Sequence, residues 1–324
     1  MSRREQSVLD KKAYCNICAQ NREFIKLFTH HDNTYFVDKK KFTLVKCAAC
    51  QVATIQNKPN PKQLKKYYER NYYSYDTSAS FFFRLKEKWA DRANQIKNEA
   101  LANRLVFGLL FKRATTPNAK VLDIGCGDGS ALSMLKRMGY DHLYGSEIDP
   151  ELCKRVEKKG IKTFCTVDIT DAKLKNHFFD LVRMSHVLEH VYNPRETIVF
   201  LRDKISPNGS LMIGVPNSGS LAARLFGRYF CGLQLPTHLY QFNKKNIKQL
   251  LHDENFELVD LRTTGFSGIS YSLLTVLKDK LGIKEIPNTI AMLLVGLFLP
   301  LEVLLNAIGQ GYILNVRAVK REAE

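Results

Sequence analysis

No apolar run opens this chain: MSRREQSVLDKKAY is polar or charged throughout most of its length, so nothing there resembles a secretory signal. Internal repeats and low-complexity tracts are missing, which excludes a solenoid or a repeat array. Acidic residues are scarce at the front. Residues 1–120 hold 24 Lys+Arg against 10 Asp+Glu, whereas the remaining 204 hold 25 against 22. Nearly all of the +17 formal charge therefore belongs to the first third. Such an excess either attracts nucleic acid, an anionic membrane surface or a phosphorylated substrate, or is simply a solvated face. Hydrophobic residues make up 45% and charged ones 25%, which argues against wholesale disorder and suffices for one large domain and a small one. The eight cysteines are not a disulfide framework in a chain of 324 residues with no export signal. Four form two CxxC pairs and four are scattered, as suits a reducing cytoplasm.

Those pairs are Cys15-Asn-Ile-Cys18 and Cys47-Ala-Ala-Cys50, 28 residues apart. Thiolates on two such turns can converge tetrahedrally on Zn²⁺, a closed set with no open position and so structural. The intervening NTYFVDKKKFTLVKC supplies a hairpin, with strands either side of an Asp38–Lys41 turn. The alternatives are redox-active CxxC motifs or buried free thiols. Residues 1–57 thus read as a zinc ribbon and 58–118 as a helical linker or lid. Within the latter, Tyr67, Tyr68, Tyr72, Tyr73 and Tyr75 crowd near a break. They either pack the segment over a cleft or stack bases.

From residue 119 short apolar strands alternate with helices, the pattern of a doubly wound α/β sheet. Asp123, Glu147, Asp168 and His186 fall at the ends of four expected strands, where such sheets bind ligands. The first turn, VLDIGCGDGS, spaces Gly125, Gly127 and Gly129 unlike a dinucleotide fingerprint. Asp123 and Asp128 would repel a pyrophosphate. A ligand with an ammonium group, a ribose diol for Glu147 and an adenine amino group for Asp168 describes S-adenosylmethionine.

Residues 119 to 264 resemble a class I S-adenosylmethionine-dependent methyltransferase through VLDIGCGDG, GSEIDPEL, FDLVRMSHVLEHVYNP and KISPNGSLMIGVPN. The resemblance implies a seven-stranded Rossmann-like sheet over 119–324. It implies that Asp123, Gly125 and Gly127 cradle the methionine moiety, Glu147 takes the ribose, and Asp168 with Ile169 flanks the adenine. His186 joins that cofactor set. The cysteine module is similar to the zinc-binding domain preceding some bacterial sugar methyltransferases. After strand 4, SHVLEHVYNPRE offers His190 paired with Glu189 as a general base, or else a helix-opening turn. Ubiquinone-type O-methyltransferases carry a similar E-x-x-E-H metal motif, but His186 stands in place of its first Glu. His238 in LPTHLYQF is a second base or acceptor contact, or a packing residue.

Ile290 to Ile308 is apolar for 19 residues around Pro300, Glu302 and Asn306. Its length would permit a span, but strands are expected on both sides of it, and the fold places the last one between strands 5 and 6. The helical insertion, about 265–311, must therefore stay on one side. It admits packing, homodimerisation or membrane surface contact through 267–308. The expected location is the cytoplasm, peripheral to the inner membrane face where that contact is made. The expected reaction is methyl transfer to a small-molecule or glycan acceptor. RNA methylation is less favoured, because residues 121–324 carry almost no excess charge, and a catalytically silent S-adenosylmethionine-binding protein is the non-enzymatic alternative.

Overall fold

The structure is a computed structural model describing residues 12–32, 37–68, 116–283 and 286–321. Most of the expected lid, with Tyr72, Tyr73 and Tyr75, lies outside the described residues. The front module begins with a short hairpin, β1 (Ala13–Cys15) and β2 (Gln20–Arg22), that presents the first CxxC turn. Strands β3 (Phe24–His31), β4 (Lys41–Cys47) and β5 (Ala53–Ile55) follow.

One expectation is corrected here. The arm pairing with Lys41–Cys47 is Phe24–His31, not the expected stretch before Asp38, of which 33–36 lie outside the described residues and Val37 is in no strand. The register explains why: Phe24 lies opposite Cys47, so the strand leaving the first knuckle delivers the second knuckle to the same end. The next helix, α1 (Pro61–Tyr68), starts on a reciprocal cap. Asn60 Oδ1 accepts from the Gln63 amide at 2.9 Å, while Gln63 Oε1 accepts from the Asn60 amide at 3.2 Å. Pro61 sits in the first turn, where its missing N–H costs nothing.

The large sheet contains β6 (Val121–Ile124), β7 (Leu143–Glu147), β8 (Lys162–Cys165), β9 (Phe179–Ser185) and β10 (Ile205–Pro216). It also holds β12 (Phe256–Thr264) and β13 (Ile313–Lys320); β11 (Tyr240–Gln241) belongs elsewhere. The order is β12-β13-β10-β9-β6-β7-β8, with only β13 running against its neighbours β10 and β12. All four residues of β6 are buried, as befits a central parallel strand covered on both faces. Leu122, Leu181, Val182, Met184 and Val215 form the middle of the core. Helices α2 (Ser130–Arg137), α3 (Pro150–Lys158) and α4 (Pro194–Lys204) make the crossovers, and short α5 (Leu221–Phe226) and α6 (Lys244–Asp253) follow β10.

The insertion is a helical pair, α7 (Gly268–Leu281) and α8 (Asn288–Ala307). It leaves from β12 and returns into the adjacent β13, so it remains on one side of the sheet. Glu302, buried on α8, accepts from the Ile269 amide of α7 at 2.6 Å and ties the pair at its base.

The ribbon is not a separate bead. Its sheet has the order β11-β5-β4-β3, and β11 comes from the segment after β10. Tyr240 pairs with Thr54 and Gln241 with Ala53, while Thr54 Oγ1 donates to the Leu239 carbonyl at 2.9 Å.

Candidate active site

The glycine turn joins β6 to α2 with positive φ at Gly125, Gly127 and Gly129 (66°, 57° and 76°), a region that side-chain-bearing residues avoid. A Cβ on Gly125 would stand 2.5 Å from Val187, whereas one on Gly127 would meet nothing within 4 Å. Gly125 is thus set by packing and Gly127 by open space beside the backbone. Glu147 ends β7 and closes the turn from beneath. Its Oε2 accepts from the Gly127 amide at 2.8 Å and its Oε1 from the Ile148 amide at 2.8 Å. Carboxylate and glycine backbone thereby face one crevice, which fits a ribose diol.

Asp123 is buried and lies in register with Arg183 of β9. The Arg183 guanidinium donates to Asp123 Oδ1 at 2.7 Å, and Oδ2 has no partner among the described residues. Burial pushes this carboxyl up against the pull of Arg183. Arg183 went unnoticed in the sequence, although a charge in a buried strand always asks for a partner. The remaining buried oxygen is the acceptor that an ammonium group at the turn would need.

Asp168 follows β8 and caps the next turn, accepting from the Thr170 amide at 2.9 Å. Ile169 is buried in the core. The exposed apolar side chains on this edge are Ile148 (53%) and Val167 (77%), neither singled out in the sequence. A flat aromatic ligand would cover such a surface.

The histidines form one cluster after β9. His186 adopts φ 57°, a left-handed conformation that a non-glycine residue pays for only where the surroundings impose it. Its Nδ1 lies 3.3 Å from Glu189 Oε1, with side chains 32% and 1% exposed respectively. Burial pushes the Glu189 carboxyl up, but the His186 hydrogen bond outweighs it and holds the group at about 2. An ionised carboxylate only accepts, so Nδ1 of His186 carries the hydrogen and Nε2 is its proton-accepting nitrogen.

His190 and His238 stand behind this pair, edge to face at 4.6 Å. His190 Nδ1 donates to the Thr237 carbonyl at 2.9 Å and lies 3.1 Å from the Tyr68 hydroxyl. His238 Nδ1 donates to the Gly232 carbonyl at 2.8 Å. Donor atoms of Glu189, His190 and His238 lie within 4.8 Å of one another. The structure therefore brings His186, Glu189, His190 and His238 together; the His186 side chain is 32% exposed, His190 is half-buried with its Nε2 shielded, and Glu189 and His238 are buried.

Burial pushes His190 down and takes His238 to about 3. For His238 the unfolded chain binds the extra proton between about pH 6.5 and 3. Stability consequently rises with pH across that window and is fully present above it. Chemical denaturation between pH 7 and pH 4 should show a loss approaching about 1.4 kcal/mol per pH unit for this group, and His238→Asn should flatten the slope. An unchanged slope would refute the buried neutral imidazole.

The four knuckle cysteines also converge, with donor sulfurs all within 4.8 Å of one another. Cys15 and Cys50 are 3.7 Å apart and Cys18 and Cys47 3.8 Å. Sulfurs bound at about 2.3 Å to one tetrahedral zinc are separated by about 3.8 Å, whereas a disulfide needs about 2.05 Å. Each knuckle is the same turn built twice. Ala19 and Gln51, one residue after the second cysteine, have φ 54° and 66°. Their amides donate to the carbonyls of Cys15 and Cys47. The donor set fits a structural tetrahedral ion and leaves no open position.

This module reaches the histidine cluster. Tyr68 of α1 contacts His190, Asn16 of the first knuckle donates to the Tyr192 carbonyl at 3.2 Å, and Arg195 donates to the Ile17 carbonyl.

A methyltransferase-domain family model matches residues 90–261, more than half of the chain. A ubiquinone biosynthesis O-methyltransferase of Xanthomonas campestris pv. campestris (strain B100) is 25% identical over 193 residues, 56% of this chain and 78% of that protein. A mitochondrial one from Dictyostelium discoideum is 26% identical over 176 residues, 48% and 53% of the two chains. A SAM-dependent methyltransferase of Archaeoglobus fulgidus aligns over 74% of this chain and 100% of its own at 22% identity, with a TM-score of 0.46. With the strand order, the glycine turn and the carboxylate that ends β7, the matched family model settles the assignment: the chain belongs to the class I S-adenosylmethionine-dependent methyltransferases.

Proposed function

We propose that this methyltransferase acts on a hydroxyl oxygen of a small or lipid-linked acceptor, with a nucleotide sugar or cell-surface glycan intermediate as the favoured class. The observation that carries the chemistry is the half-buried, solvent-accessible His186 backed by buried Glu189. S-adenosylmethionine supplies the electrophilic methyl group when bound. Glu147 and the Gly127 backbone would hold its ribose, Asp123 its ammonium group, and Ile148 with Val167 the faces of its adenine. His186 Nε2 then accepts the hydroxyl proton while Glu189 fixes the ring and stabilises the imidazolium. His190, His238 and Tyr68 are positioning residues that hold this dyad from behind. Oxygen is favoured because the named relatives are O-methyltransferases. The four cysteines hold a structural Zn²⁺ in this reading.

The test uses methyl-labelled S-adenosylmethionine with extracts separated into organic and aqueous fractions. Label in a lipid-linked glycan or nucleotide sugar supports the acceptor class, and label in RNA overturns it. His186→Ala should lower kcat by about 10²–10⁴ with donor affinity unchanged. An unaltered kcat would remove His186 as the base.

A further inference from the structure

Helix α8 has the composition of a core helix and the exposure of a surface one. Only Glu302 and Leu305 of its twenty residues are buried, while Leu293 and Leu297 are 74% and 70% exposed. Its buried and half-buried positions, Ala291, Leu294, Val295, Phe298, Glu302, Leu305 and Asn306, gather on one arc of roughly 120° at 3.6 residues per turn. The other 240° or so of the helix presents Ile290, Leu293, Leu297, Leu301 and Leu304, with no charged side chain on it. A second copy of the chain would cover one more face. A fluid lipid layer can conform to the whole arc that the protein leaves open.

Charge agrees with lipid. Lys280 is exposed in the last turn of α7, and Arg224 and Arg228 are exposed on the segment packed against α7. Lys244 Nζ stands next to Gly309, just past the end of α8. Among the described residues of the pair, both acids are turned inward: Asp279 contacts His31 at 3.3 Å and Glu302 is buried. Basic groups on α7, on the segment packed against it and at the end of α8, beside an uncharged apolar rod, complement an anionic bilayer surface. Because α7 and α8 join neighbouring strands, both ends of the pair stay on one side. Helix α7, 14 residues long with Lys278, Asp279 and Lys280 in its last turn, is too short to make the return crossing, so the rod lies in the surface.

We propose that α8 seats in the interfacial layer of an anionic bilayer, parallel to its plane, with these basic groups against the headgroups. The docking is independent of which acceptor is methylated. The test is flotation of the full chain with phosphatidylcholine vesicles with and without phosphatidylglycerol, without S-adenosylmethionine. The chain should float with both and bind the anionic vesicles more tightly. Leu293→Asp/Leu297→Asp should weaken vesicle binding about tenfold or more with donor affinity unchanged. Should that variant not fold, hydrogen exchange of 288–307 in the unaltered chain decides: vesicles should slow it. Absence of flotation, flotation unaffected in the folded variant, or exchange unchanged by vesicles overturns the proposal. So does a lipid-free dimer that does not float and that the variant dissociates, since the occupant would then be a second copy.

Discussion

Asp123→Ala is expected to destabilise the protein by about 3–5 kcal/mol and to abolish S-adenosylmethionine binding. The two effects have different origins and can be separated. The stability loss comes from Arg183, whose guanidinium donates to Asp123 at 2.7 Å across adjacent central strands. Removing the carboxylate strands a cation in a place where water cannot reach it fully. Arg183→Met should be milder, because burial already pushes the Asp123 carboxyl up and the abandoned group can take a proton. Asp123→Leu/Arg183→Met removes both charges and should recover most of the lost stability. It should nevertheless bind no donor, since the ammonium acceptor is gone. Urea denaturation and calorimetry on the three variants provide the check. Normal donor binding by Asp123→Ala would reduce the carboxylate to a structural counter-ion.

Zinc removal should have the second large effect. Structural zinc contributes an apparent 10–16 kcal/mol, as an order of magnitude, in small metal-dependent modules. This ribbon has the further cost of two left-handed non-glycine residues, Ala19 and Gln51, at about 1–2 kcal/mol each. Metal analysis should find one zinc per chain, lost in Cys15→Ser/Cys47→Ser. A strong chelator should unfold residues 12–55 and lower kcat, because Tyr68 and β11 bring the ribbon to the histidine cluster. Donor affinity should survive, since the hydrogen bonds of the glycine turn, Glu147 and Arg183 among the described residues run within the large domain. A chelated protein with full activity would contradict that coupling.

Much of the frame was legible before any coordinates. Apolar runs separated by turn residues located the strands that end near Asp123, Glu147, Asp168 and His186, and the CxxC spacing located the thiolate cluster. The hairpin arm was misread because Phe24–His31 and the stretch before Asp38 are both plausible strands. Only the register of Phe24 against Cys47 distinguishes them, and register is a pairing property absent from either segment alone. The ligand edge of β8 was half-legible. Asp168 and Ile169 were noticed for their position, whereas exposure singles out Ile148 and Val167. The roles of the histidines were similarly ambiguous: SHVLEH shows three polar side chains, and only burial distinguishes the reachable His186 from its supports. Tyr68 meeting His190 joins positions 122 residues apart, for which no local pattern exists.

The shared ribbon sheet also has a consequence in time. Thr54 cannot acquire its partner Tyr240 until the chain beyond position 240 has left the ribosome. At about 5–20 residues per second, synthesis runs roughly 10 to 40 s after β5 is made before β11 exists. During that interval the N-terminal module can gather its metal yet keeps an open β5 edge, a template for unwanted pairing. The module that is translated first is therefore among the last to be finished. A truncated chain ending before Tyr240 would leave that edge permanently open.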